Sequence, residues 1–274
     1  MENENIVKET ALSVAKETAK EVYSDAVRPT AKNVGDFFGT LSGFFNQVVM
    51  FPLKKLNIQY EQKAIAFEKE MERKYNSIPE KERVEPQLHI VGPTMESLKY
   101  NIMDEDLAEL FSNLLVSDMD TRTQNLCTPA FVKVIEQLSP ADARVFREII
   151  NECARRETIP ICKVDLCKSD DENYKIRREY VPLYLVDIEV DGLTQDDISK
   201  SIQNLERLGL LTIDFLRWID DDEIYNKMID TSFIESLKVW ANQATGNSYV
   251  AKVGARGLLE LNDFARDFAK VCLR

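Results

Sequence analysis

Side chains able to do chemistry are sparse in this sequence, and none is spaced for a reaction. The single histidine, His89, stands in a proline-rich stretch. One imidazole cannot build a multi-histidine metal site, and no Ser-His-acid or Cys-His pairing surrounds it, so it reads as a loop histidine touching its neighbours. Cys162 and Cys167 share a predicted strand, where alternation turns them to opposite faces, and no second cysteine pair or histidine stands at zinc-finger spacing. The acid runs SDDEN and IDDDE lack the alternating ligands, central glycine and closing glutamate of a calcium loop, and read as solvated turns. Gly35, Gly39 and Gly43 have no strand before them and no Lys-Ser/Thr after them, which argues against a phosphate cradle. The sequence names no catalytic, cofactor-binding or metal-ligating residue. Only a hydrolase or nuclease assembled from distant carboxylates would escape this reading.

The elements that carry these residues belong to a folded, acidic protein. With 274 residues and 44% hydrophobic content the chain can bury a real core, and a formal net charge of −12 opposes broad contact with phosphate backbones. Nucleic acid is a poor partner for it. Five scattered cysteines, an odd number in a chain too large to need disulfide staples, read as reduced and buried. The first twenty residues lack the apolar run and cleavage site of a secretory signal, and no stretch reaches the ~18–20 apolar residues of a membrane span. The cytoplasm is the expected compartment.

Residues 3 to 32 read as a charged helix. After Pro52, Leu56, Tyr60, Ala64, Phe67, Met71 and Tyr75 recur every three to four residues and predict an amphipathic helix. Pro79, Pro86 and Pro93 break helix and make 79–93 a connector. Leu107, Phe111, Leu114 and Leu115 mark one face of the next helix, and Thr128-Pro129 and Ser139-Pro140 are cap-and-proline starts of two more. From about residue 158 the period falls to two, so TIPICKVDLCK and YVPLYLVDIEVD predict strands. Thr194 with Asp197 opens a helix that stops at Gly209. A strand over LLTIDFLRW, a helix over SFIESLKVWANQA, a hairpin over YVAKVGARGLLEL and a closing helix follow.

The expected fold is mainly α with a smaller α+β part. A helical N-terminal region (1–93) and a central helical region (94–157) precede a winged-helix-like C-terminal module (158–274). A winged helix raises the alternative of a DNA-binding regulator. The candidate recognition helix, 195–208, answers Lys200 and Arg207 with Asp196, Asp197 and Glu206, which speaks against it.

One segment, VGDFFGTLSGFFNQVVMF at 34–51, fits no ordinary class. On a helical wheel Val34, Phe37, Phe38, Leu41, Phe44, Phe45, Val48, Val49 and Phe51 share one side. Gly35, Asp36, Gly39, Thr40, Ser42, Gly43, Asn46 and Gln47 share the other, with Met50 the exception. A solvated helix would carry Lys and Glu on its polar face, whereas this one is small and nearly uncharged. It suits close approach by another helix, with Gly35, Gly39 and Gly43 as the contact row. Two readings stay open for the apolar side (Phe37, Phe38, Leu41, Phe44, Phe45, Val48, Val49). It fills the protein's own core, or it is presented to lipid on activation with Lys54 and Lys55 anchored at the headgroups.

EPQLHIVGPTMESLKY, LAELFSNLLVSDMD, TPAFVKVIEQLSPADARVF, NLERLGLL and LELNDFARDFAKVC resemble, in that order, the abortive infection alpha family of bacterial proteins. The likeness runs from about residue 20 to the C-terminus, leaving aside the IDDDE loop. It implies defence against bacteriophage by a route that stops growth of the infected cell or kills it, and it brings no catalytic residues. The expected protein is a non-enzymatic defence factor without a cofactor. It would act as a homo-oligomer or through a phage or host protein trigger, and meet a membrane only after activation.

Overall fold

The computed structural model describes residues 37–54, 58–168, 184–246 and 248–273. The calls on Gly35, Lys55, Leu56, the helix over 3–32 and the SDDEN loop lie outside them. The chain divides into two compact units, one of residues 1–137 with 270–274, the other of residues 138–269. Helices dominate, and the strands form a small sheet in the second unit, in keeping with a mainly α fold with an α+β part.

The first unit begins with α1 (Phe37–Phe45), a π-helical turn (Asn46–Met50) and α2 (Phe51–Lys54). It continues with α3 (Ile58–Asn76), α4 (Leu88–Asn101), α5 (Glu105–Asp118) and α6 (Pro129–Ile135). The expected stripe of α3 is its buried face: Ala64, Phe67, Met71 and Tyr75 are all buried. Leu107, Phe111, Leu114 and Leu115 do the same for α5, whose start is capped by Asp104 accepting from the Leu107 amide. The connector ends earlier than the prolines suggest. Helix α4 already runs at Leu88, and Pro93 lies inside it, because the hydrogen bond that Pro93 cannot donate would have gone to His89, at the exposed start of the helix. His89 is therefore helical and exposed.

Buried polar groups fasten this unit. The Asp118 carboxylate accepts from the backbone amide of Gln87 at 2.7 Å and its side-chain amide at 3.1 Å, tying the connector to the end of α5. Asn113 and Ser117, both buried on α5, donate to the carbonyls of Cys272 and Val271 at 2.8 and 2.9 Å. Those carbonyls end the last helix of the chain and would otherwise lack partners.

The second unit holds α7 (Pro140–Arg155), β1 (Ile159–Lys168), β2 (Tyr184–Val186), α8 (Gln195–Arg207) and β3 (Leu211–Asp214). Helices α9 (Asp222–Ile229) and α10 (Ser232–Thr245), strand β4 (Tyr249–Leu261) and α11 (Asp263–Cys272) complete the described chain. Capping boxes at Ser139/Asp142 and Thr194/Asp197 start α7 and α8, and Gly209, at φ +74°, follows the end of α8. The sheet is antiparallel in the order β2-β1-β4-β3. Cys162 of β1 packs with Tyr225, Met228 and Ile234 of α9 and α10, while Cys167 falls on the opposite face by alternation.

The expected hairpin over 249–261 is instead one strand, pairing with β1 along one edge and β3 along the other, so these residues form no wing. A tight hairpin needs glycine at positive φ, and neither Gly254 nor Gly257 has it. Their missing side chains serve close approach. A Cβ on Gly254 would stand 2.8 Å from the Asp165 carboxylate, and one on Gly257 2.8 Å from the Asp214 carbonyl and the Phe215 ring. The predicted strand over 210–218 is also shorter, leaving the ladder after Asp214.

Candidate functional site

The segment singled out by its composition docks on α3 by its aromatic side. Phe45 stacks on Phe67 with ring centroids 5.5 Å apart, and Phe38 on Tyr75 at 5.3 Å. Leu41, Phe44, Phe45 and Val49 are buried, and Phe38 and Val48 are half-buried. Core packing is thus the state of this face. Phe37 begins α1 and Lys54 ends α2.

The helical wheel errs at its end. Met50, the exception on the wheel, is buried, whereas Phe51, counted with the apolar face, is 60% exposed. The π-turn explains both. Pro52 cannot donate to the carbonyl four residues back and its ring crowds that carbonyl, and the turn before it widens so that the Phe51 amide bonds to Asn46 O. A wide turn takes up about one residue, which rotates Met50 inward and Phe51 outward.

On the opposite side Gly39 and Gly43 are exposed, and a Cβ built on Gly43 meets nothing within 4 Å. Asn46 and Gln47 are exposed as well, so the row presents backbone and amides without a charge. One border of this face is fixed to α3: Ser42 Oγ donates to the Glu68 carboxylate, and Asn46 Nδ2 reaches the same oxygen at 3.3 Å. Gly39 and Gly43 thus ride on a helix held in place by its aromatic face and by these polar bonds.

A cleft of about 330 Å³ between α3 and α5 has the elements of a reaction without their geometry. Lys74 lines it, its pKa pushed down by burial, and its ammonium bonds to Asn113 Oδ1 at 2.8 Å. Ser112 also lines it, yet its buried hydroxyl has no hydrogen-bond partner, so lysine and serine form no nucleophile–base pair. Among the described residues no group of three or more His, Cys, Asp or Glu is arranged to hold a metal ion, and no helix is long and apolar enough to cross a membrane.

The family model for abortive infection alpha matches residues 59–272, most of the sequence. The chain belongs to the abortive infection alpha family. That membership points to a part in abortive infection, the defence of a bacterial population against phage. The match begins after α1 and α2, so it does not itself cover the glycine face. No curated protein matches the chain. A solved structure, an uncharacterised protein of the hydrocarbon-degrading marine bacterium Alcanivorax borkumensis SK2, is similar at 10% identity over 56% of this chain and 96% of its own, with a TM-score of 0.29. Likeness at that level supports no conclusion about this chain.

Nothing in residue spacing marked Asp118 or the loop after β3. Asp118 lies one turn beyond the leucines of α5, where the sequence shows only the end of a helix, and the loop was hidden in what scans as strand.

Proposed function

We propose that this member of the family serves abortive infection through self-association on the face of α1 that carries Gly39 and Gly43, without catalysing a reaction of its own. The observation behind the proposal is the division of labour on one helix. Phe44 and Phe45 are buried in the chain's own core, while Gly39 and Gly43, which cost helix stability by roughly 1 kcal/mol each, remain exposed. An exposed surface helix has no use for such a face unless another backbone approaches it closely.

The membrane reading asks for more. Presenting the aromatic face to lipid first requires pulling Leu41, Phe44, Phe45 and Val49 from the core, at about 1.5–3 kcal/mol each and about 6–12 kcal/mol together. The bilayer would return most of that, so a phage or host trigger would be needed to carry the segment across the barrier.

Light scattering of the full chain over a range of concentrations tests the proposal, alongside plaque counts on bacteria that express it. The wild type should form dimers or larger species, and Gly39→Leu and Gly43→Leu should be monomeric and unprotective. A wild type that stays monomeric, or leucine variants that assemble equally well, would remove it.

A further inference from the structure

The loop that leaves β3, residues 215–219, presents two large apolar side chains to solvent while being fastened at several points. Leu216 is 88% exposed and Trp218 53%. Between them Arg217 donates to Asp214 Oδ2 and to Glu260 Oε2, each at 2.7 Å, and these two carboxylates raise its already high pKa. The Leu216 amide bonds to Asp214 Oδ1 at 2.7 Å, and the Ile219 amide to the hydroxyl of the buried Tyr225 at 2.9 Å. Phe215 lies against Gly257, where a Cβ would stand 2.8 Å from its ring, and Lys163 Nζ sits 4.5 Å from the ring centroid.

Exposure alone is ordinary for single apolar residues. A leucine and a tryptophan held outward on a fixed backbone are different, because the ordering cost that a partner must normally overcome is already met by the loop's own bonds. Tryptophan is also among the residues that dominate binding once seated in a pocket. The surroundings state the partner's chemistry. Asp220, Asp221 and Glu223 are exposed beside the loop and stand in no ion pair among the described residues. An anionic bilayer would be repelled by them, and a second copy of a chain with net charge −12 is a poor source of the positive rim they require.

We infer that residues 215–219 form a pre-shaped knob for another protein, one that offers an apolar pocket bordered by Lys and Arg. This surface lies apart in sequence from the glycine face and does not depend on it.

The full chain carrying a benzophenone amino acid in place of Leu216, irradiated in phage-challenged bacteria, tests this. We expect a discrete adduct with a different protein, with a yield at least tenfold lower in Trp218→Ala and in Asp220→Lys/Glu223→Lys. Trp218→Ala should keep its melting temperature and its mass by light scattering. Trp240→Ala, exposed on α10, should leave the adduct unchanged, and so should Gly43→Leu even if it abolishes self-association. No adduct, an adduct only with lipid or with a second copy of the chain, or a yield indifferent to Trp218 and the acids would overturn the inference.

Discussion

Replacing Gly43 separates stability from assembly. The residue sits within α1, a regular helix, its backbone does not need positive φ, and a Cβ there meets nothing within 4 Å. Gly43→Ala should therefore gain the full helical preference of alanine, about 0.5–1 kcal/mol, with no steric penalty to offset it. For a chain of this size that is a rise in melting temperature of about 1–4 °C. Gly43→Leu gains nearly as much, since leucine ranks close to alanine in helices. The same leucine would hold an approaching helix away from the backbone. The expected pattern is unusual: the variant with the higher melting point at low concentration is the one that fails to assemble and fails to protect. Differential scanning fluorimetry at low concentration, paired with light scattering at high concentration, reads the two effects independently. A fall in melting temperature for Gly43→Ala would refute the reasoning, for it would mean that something already occupies the space beside Gly43. A rise with assembly intact would leave the helix argument standing and remove the contact.

Further outcomes follow from buried groups. Burial raises the Asp118 carboxyl to about 6 from 3.8, so the folded state keeps a proton that the unfolded chain releases, and stability falls as pH rises from about 4 to 6 and then levels. Asp118→Asn should remove that fall, worth at most about 3 kcal/mol, in urea titrations compared at pH 4 and 6.5; an unchanged difference between the two proteins would count against it. Ser117→Ala and Asn113→Ala each leave a buried carbonyl, of Val271 or Cys272, without its donor, and should each lower stability by about 1–3 kcal/mol and speed hydrogen exchange in the last turn of α11. Gly257→Ala should cost more than Gly254→Ala, about 1–3 kcal/mol, because its Cβ meets a backbone carbonyl and a packed ring, whereas the other meets a carboxylate that can turn aside. Equal urea midpoints for the two would contradict this.

The parts of the fold that were legible are those that local chemistry dictates. Cap-and-proline starts at Thr128 and Ser139, the box at Thr194/Asp197, and the stripe through Phe67, Met71 and Tyr75 each depend on residues a turn or two apart. The misreadings occur where a distant neighbour decides. Gly254 and Gly257 look like turn residues until β1 and β3 close on them from either side. Pro93 looks like a helix breaker until its place just after the exposed first turn makes the missing bond inexpensive. Helix α9 went unseen because its acidic start, Asp221 to Glu223, has the composition of a loop, although Asp221 caps it by accepting from the Glu223 amide. At the candidate site the two faces of α1 were readable from a uniform 100° step, and the reading failed only where Pro52 forces the step to change.

The two contact surfaces stand differently toward the family. The family model's match, 59–272, spans the knob at 215–219 but not Gly39 and Gly43. If both surfaces serve defence, each would serve a separate contact. Their losses should then differ in kind. Without Trp218 the protein still self-associates yet meets no partner, whereas without the glycine face it still meets the partner but as a single copy. A Trp218→Ala/Gly43→Leu double variant no worse in plaque counts than Trp218→Ala alone would place partner contact and assembly on one route, and additive losses would place the two on independent routes.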